Sequence, residues 1–282
     1  MAKYNGVELE KSVHSLPFWA RGQILGEGGF GCVYFARMIT LPTPIDGISH
    51  VRSFHPLMAV KTAFPSKSKE LEDEKKILDN FVDCPYIIEC YGDDTTINII
   101  DGNKKVLYNV FLEYAHGGTL FEFVKTSPPY DESKQVKEYI RQILKGVNYI
   151  HEKGFIHSDL NPENILLVKE REEDTFFVAK ISDFGLAKIV DDFKNLTPIV
   201  GTLEYLAPEC LGKNGIQGQF SDIWAIGITI LFMLTKNVKW SNDLSHHISE
   251  EAKDFIMKCI QANPFKRPSA KMLLSHSFLA NT

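Results

Sequence analysis

Residues 157–164 read His-Ser-Asp-Leu-Asn-Pro-Glu-Asn, placing a carboxylate, Asp159, and a carboxamide, Asn164, in one short proline-containing loop. A carboxylate can take a proton from a hydroxyl, and a carboxamide oxygen is a hard donor suited to a divalent cation. Nineteen residues after Asn164 comes a second carboxylate, in Asp183-Phe184-Gly185. The apolar run Ile165-Leu166-Leu167-Val168 follows the first turn and Ala179-Lys180-Ile181 leads into the second, so both flanks read as short strands. Two polar turns at the ends of paired strands could hold metal between them. The rest of the chain must then bring a phosphate donor and an acceptor to that point.

Upstream, Gly26-Glu27-Gly28-Gly29-Phe30-Gly31-Cys32-Val33 fits the pattern G-x-G-x-x-G-x-V. Glycines let a backbone come close to phosphates and aim its N–H groups at them. A dinucleotide fold would require a helix after the last glycine, whereas Cys32-Val33-Tyr34-Phe35-Ala36 reads as a strand. Gln23-Ile24-Leu25 supplies the strand before the glycines. Residues 37–57 carry Pro42, Pro44, Gly47 and Pro56 and read as a long loop, followed by a strand, Leu57-Met58-Ala59-Val60-Lys61. The spacing predicts a helix over Lys69–Phe81, with Glu74 on the same face as Leu71 and Leu78. A carboxylate on a packing face is costly unless paired, and Lys61, at the end of the preceding strand, is the nearest plausible partner in sequence.

Strands around Ile97–Ile100 and Val106–Glu113 flank an Asp101-Gly102-Asn103 turn, and Glu113 to Gly118 reads as a connector. Beyond it the chain turns helical. Thr119 and Glu122 form a capping box, and residues 132–151 line Val136, Ile140, Ile143, Leu144, Val147 and Ile150 along one face. The apolar run Ile223–Leu234 reads as a buried helix, too short to span a bilayer.

The 282-residue length suits two domains or one two-lobed unit, and a composition of 44% hydrophobic and 24% charged residues suits a soluble protein with a sizeable core. A net charge of −5 argues against nucleic acid or anionic membrane as partner. Five cysteines without a C-x-x-C pair, and no secretory leader, point to free thiols in a reducing compartment, cytoplasmic or nuclear.

In their order, Gly26–Val33, Ala59-Val60-Lys61, Glu74, His157–Asn164, Asp183-Phe184-Gly185, Ala207-Pro208-Glu209, Asp222 and Arg267 resemble the eukaryotic protein kinase family. The resemblance covers about residues 18–279. It implies an α+β, bilobal protein kinase-like fold: a small β-rich N-lobe over 18–114, a larger helical C-lobe over 115–282, and a tail over 1–17. It further implies ATP and magnesium as cofactors and a protein substrate, with no nucleic acid or membrane partner. Lys61 would hold the α- and β-phosphates and pair with Glu74; Asn164 and Asp183 would hold the metal; Asp159 would take the acceptor proton. Gly26, Glu27, Gly28, Gly29, Phe30, Gly31 and Cys32 would cover the phosphates. Leu25, Val33, Ala59 and Leu166 would sandwich the adenine, with Leu112 as gatekeeper and the backbone of Glu113 and Ala115 on the adenine edge. Glu209 and Arg267 would anchor the activation segment, Asp222 would tie the catalytic loop to the central helix, and His157 would pack on Phe184.

The segment Gly201-Thr202-Leu203-Glu204-Tyr205-Leu206-Ala207-Pro208-Glu209 is similar to serine/threonine kinases, with Thr202 near the catalytic aspartate. Trp19-Ala20-Arg21-Gly22, the connector and Ser249–Phe255 are similar to plant mitogen-activated protein kinase kinase kinases, which implies a signalling cascade and a downstream kinase as a possible substrate. Two positions depart from the family pattern. Ser158 stands where an arginine normally meets a loop phosphate, so phosphorylation of Thr197 or Thr202 would not act by that route. Asn161 replaces a lysine that touches the γ-phosphate, which implies lower turnover with one hydrogen bond still on offer. The stretch after Trp240 is also shorter than the family pattern. These departures leave a second reading, a nucleotide-binding pseudokinase acting as a scaffold or allosteric partner, beside a third, a plain interaction module.

Overall fold

The computed structural model describes residues 3–4, 7–8, 19–28, 31–38, 56–100, 103–171, 173–190, 199–211, 215–241 and 246–280. They form two compact units: residues 1–82 with 88–115, and residues 83–87 with 116–282. Among the described residues no helix is long and apolar enough to cross a membrane.

The first unit opens with a short antiparallel pair, β1 (Lys3–Tyr4) and β2 (Val7–Glu8). Its body is an antiparallel five-stranded sheet in the order β3-β4-β5-β7-β6, from β3 (Trp19–Gly28), β4 (Gly31–Met38), β5 (Leu57–Ala63), β6 (Cys90–Ile100) and β7 (Asn103–Glu113). Alternation along β5 sends Met58 and Val60 into a core with Trp19, Ala36, Met38, Tyr91 and Phe111. There the Trp19 and Phe111 rings meet edge to face at 5.4 Å. Helix α1 (Ser68–Leu78) buries Leu71, Glu74 and Leu78 on one face. It ends three residues short of the expected Phe81, which is buried from the turn beyond it.

Strand β6 is longer than its apolar pattern, starting at Cys90 rather than Ile97. The reason is a polar sheet interior. Asp94 and Thr96 are buried beside Asn109, which has no exposed surface. The Asn109 amide oxygen accepts from Thr62 Oγ1 at 2.8 Å and Arg21 Nη2 at 3.1 Å. Its nitrogen donates to Thr96 Oγ1 at 3.1 Å and to the Leu107 carbonyl at 3.3 Å. Arg21 is also stacked over Tyr34, at 4.7 Å from the ring centre. Asn109→Leu is expected to destabilise by about 2–4 kcal/mol, because it strands several buried partners at once. Chemical denaturation measures this, and a loss below about 0.5 kcal/mol would rule the network out as a source of stability.

The second unit is mainly helical. In α2 (Leu120–Thr126) the expected capping box is formed: Thr119 Oγ1 accepts from Glu122 N, and Glu122 accepts from Thr119 N at 2.9 Å. Helix α3 (Lys134–Glu152), capped by Ser133, buries the expected apolar face with Tyr139 added to it. Two two-stranded elements follow from β8 (Phe155–Ile156), β9 (Ile165–Val168), β10 (Val178–Ile181) and β11 (Lys188–Ile189): β9 pairs with β10 and β8 with β11, both antiparallel, and β10 bridges to Ile87. Helix α4 (Gln219–Thr235) is buried almost all round, as a helix apolar on every side must be, and Lys236 ends it in the left-handed region at φ 60°. The shortened stretch after Trp240 includes residues 242–245, outside the described set. Helices α5 (Glu250–Cys259), α6 (Ala270–Leu274) and α7 (Ser277–Ala280) complete the unit.

Candidate active site

In the first unit the functional residues lie on β3, β4, β5, α1 and the end of β7. Lys61 Nζ donates to both carboxylate oxygens of Glu74, at 2.9 and 2.7 Å. The side chains are 12% and 3% exposed, so the pair is largely removed from water. The carboxylate that looked misplaced on an apolar helix face therefore has the partner its sequence required. In the sheet register Val33 faces Lys61, and Ala59 stands between Phe35 and Leu112. Alternation thus gathers Val33, Ala59, Lys61 and Leu112 on one face. Leu25 sits at a register shift between Ile24 and Gly26 and is 42% exposed. The Glu113 N–H donates to the Glu89 carbonyl at 2.9 Å, which leaves any base-edge contact by Glu113 to its own carbonyl. Ala115 follows it, half-buried.

The glycines of the hairpin divide into two kinds. Gly31 has φ +152°, and a Cβ there would lie 2.0 Å from the Thr62 carbonyl oxygen, so the fold itself demands glycine. At Gly26 and Gly28 an added Cβ would meet nothing within 4 Å. Packing does not explain these two, which leaves room on the hairpin for a ligand. Glu27 pairs with Cys32 beside them, while Gly29 and Phe30 lie outside the described residues.

In the second unit the two polar turns are adjacent because β9 and β10 pair Ile165 with Ile181. Ser182 N and Oγ both donate to the Asn164 carbonyl, at 2.9 and 3.0 Å. Leu166, half-buried, lies on β9 and bridges to Thr119. Asp183 adopts φ +58°, uncommon for a residue with a side chain and frequent at functional sites. Asn164 Nδ2 donates to the Asp159 carbonyl at 2.8 Å and to Asp159 Oδ2 at 3.0 Å. With both amide hydrogens used, its oxygen is the atom left to act as a ligand.

Asp159 also receives the downstream segment. Its Oδ1 accepts from Thr202 N at 2.8 Å and from Thr202 Oγ1 at 2.7 Å. Asn161, expected to keep one hydrogen bond on offer, holds Nδ2 3.4 Å from Thr202 Oγ1. Its Nδ2 donates to the Asp159 carbonyl and Oδ1, at 3.1 and 3.2 Å, and its Oδ1 accepts from Glu163 N and Asn164 N. At 5% exposure it is a loop brace.

The loop is pinned from below by Asp222, 2% exposed, whose carboxylate accepts from His157 N at 2.9 Å and Ser158 N at 3.0 Å, with His151 Nε2 at 2.9 Å. His157 Nε2 faces the Ser182 carbonyl at 3.0 Å and its Nδ1 accepts from Asp159 N at 3.3 Å. Both ring nitrogens are thus occupied, and the ring meets Phe184 edge to face at 4.9 Å. This is a packing and bracing role, as the sequence implied. Arg267 grips Glu209 through two parallel bonds of 2.6 and 2.7 Å and donates to the Phe220 and Gln261 carbonyls. Thr197 lies outside the described residues. One residue carried no motif signal: Gln217, whose side chain bonds Val200, Ser158 and Lys188.

One chain carries an antiparallel five-stranded unit with a lysine–glutamate pair and a helical unit with an aspartate–asparagine loop, the two sets of groups that phosphoryl transfer requires. The protein kinase domain family model matches residues 19–279, and the chain belongs to the protein kinase family. It is an ATP-dependent serine/threonine protein kinase of α+β architecture. It is 34% identical to mitogen-activated protein kinase kinase kinase 20 of Arabidopsis thaliana, over 93% of this chain and 78% of that protein. It is 35% identical to kinase kinase kinase 17 of the same plant, over 93% and 69%. To mitogen-activated protein kinase kinase kinase A of Dictyostelium discoideum it is 31% identical, over 93% and 28%.

Proposed function

We propose that this kinase transfers the γ-phosphate of ATP to serine or threonine hydroxyls of a downstream protein kinase in a signalling cascade. The substrate class follows from the names of the relatives, and the chemistry from the residues just described. Asp159 orients the acceptor hydroxyl and takes its proton. The observation that carries this is the 2.7 Å hydrogen bond from a threonine hydroxyl, Thr202 Oγ1, to Asp159 Oδ1. A general base needs a hydroxyl within this reach. Lys61, oriented by Glu74, neutralises the α- and β-phosphates, and the hairpin from Gly26 to Val33 covers them with backbone N–H groups. Val33, Ala59 and Leu166, with Leu25 and Leu112, make the apolar walls for adenine, whose edge meets the backbone of Glu113 and Ala115.

Asn164 and Asp183 would hold magnesium. Among the described residues no group of three or more His, Cys, Asp or Glu side chains could hold a metal ion. One carboxylate and one amide oxygen suit magnesium, which keeps several waters and takes phosphate oxygens as its remaining ligands. When bound it neutralises charge on the phosphates. With the neutral Asn161 in place of a lysine, one charged contact to the transferred phosphate is missing, which favours a modest turnover.

Nucleotide binding tests the donor half of this reading. ATP with magnesium at about 100 times its Kd is expected to stabilise the protein by about 2.7 kcal/mol, seen as a rise in melting temperature. Gly28→Val is expected to remove most of that rise while changing the stability of the nucleotide-free protein by no more than about 0.5 kcal/mol, since its Cβ enters open space. A wild-type protein indifferent to ATP would refute the reading, as would an undiminished rise in Gly28→Val.

A further inference from the structure

The segment that delivers Thr202 to Asp159 is held by an amide. Gln217 lies just before α4, and its side chain uses its whole hydrogen-bonding capacity. Nε2 donates to the Val200 carbonyl at 2.9 Å and to the Ser158 carbonyl at 3.3 Å. Oε1 accepts from Lys188 Nζ at 2.9 Å and from Val200 N at 3.4 Å. Two carbonyls on one end and two N–H donors on the other leave a single consistent orientation of the amide. One side chain thereby ties the catalytic loop, β11 and the Thr202 segment together.

The next residues complete the seating. Gly201 has φ +122°, and a Cβ there would lie 2.5 Å from the Ser158 carbonyl oxygen. That closeness places Thr202 N and Oγ1 on Asp159. The catalytic loop adds no cation here. Ser158 is 6% exposed with φ +71°, and its Oγ has no hydrogen-bond partner among the described residues. Lys188 brings a cation to this point, and the Gln217 amide is one of its partners. Burial pushes its pKa below the ordinary lysine value.

We infer that Gln217 is a positioning residue that holds the Thr202 segment in register on Asp159 without any phosphate on that segment. The inference rests on the proposed role of Asp159 as base. Four neutral or singly charged hydrogen bonds replace the phosphate clamp that an arginine at position 158 would have served.

The variant that tests it is Gln217→Met, which keeps the length and volume of the side chain and loses every hydrogen bond. Wild type and variant are compared after phosphatase treatment, by steady-state kinetics and by hydrogen exchange of residues 199–206. Gln217→Met is expected to lower kcat about tenfold, with KM for ATP within about twofold of wild type, because the nucleotide contacts are untouched. Exchange in 199–206 is expected to rise about tenfold. Wild-type kcat is expected to survive phosphatase treatment within about twofold. A Gln217→Met protein with wild-type kcat or wild-type exchange overturns the inference, as does a wild-type enzyme silenced by phosphatase. If wild type transfers no phosphate in any preparation, the proposed base has failed, and the exchange comparison still decides whether Gln217 holds the segment.

Discussion

Asp159→Asn is expected to lower kcat for phosphoryl transfer by about 10²–10⁴-fold, the usual range for loss of a positioned general base. The geometry makes this more than removal of a charge. Asp159 Oδ1 accepts two bonds from Thr202, and Oδ2 accepts one from Asn164. An asparagine has only one carbonyl oxygen, so its NH₂ must face either the Thr202 donors or the Asn164 amide. A stability loss of about 1–2 kcal/mol is expected beside the catalytic one. Single-turnover kinetics with saturating ATP separate the two effects, since unfolding lowers the amplitude while loss of the base lowers the rate. A rate within a few-fold of wild type would exclude Asp159 as the base.

The largest effect on stability is expected at the Glu209–Arg267 pair. The Arg267 side chain has no exposed surface and that of Glu209 only 9%. Removing one member leaves the other charge buried without its partner, which typically costs about 3–5 kcal/mol. Arg267→Ala also strands the Phe220 and Gln261 carbonyls that the guanidinium serves. Arg267→Lys should recover little, because a point-like ammonium cannot make two parallel bonds to the carboxylate while reaching both carbonyls. Urea denaturation of Arg267→Ala, Glu209→Ala and the double variant measures the coupling. The double variant is expected to be less destabilised than the sum of the singles, and strict additivity would show that the two residues do not act as a pair.

Much of this was legible in the chain because chemistry and packing disagree at informative places. Glu74 stands on an apolar face and so requires a partner, which the 2.7 Å bond from Lys61 supplies. The Thr119–Glu122 capping box and the apolar face of α3 follow from rules local to a helix, and both are found. Strand β6 was read too short because its buried positions Asp94 and Thr96 are polar, and alternation of apolar residues cannot detect a strand whose inner face is satisfied by Asn109. Asn161 was legible as a departure, but not its surroundings: only the folded chain brings Asp159, Glu163 and Thr202 round to the amide. Gln217 gave no signal at all. A glutamine in a polar stretch is unremarkable until the chain places Ser158, Lys188 and Val200, from three separate elements, against it.

The central claim is that this chain is a working serine/threonine kinase and not a scaffold with a nucleotide site. Transfer of labelled phosphate from ATP to a generic basic protein, followed by identification of the labelled amino acids, tests it most directly. Asp183→Asn serves as the control, since it removes the carboxylate assigned to the metal while preserving shape. Label on serine or threonine with wild type, and at least about a hundredfold less with Asp183→Asn, is the predicted result. Equal label in both would place the activity elsewhere, and ATP binding without label in wild type would make the protein a scaffold.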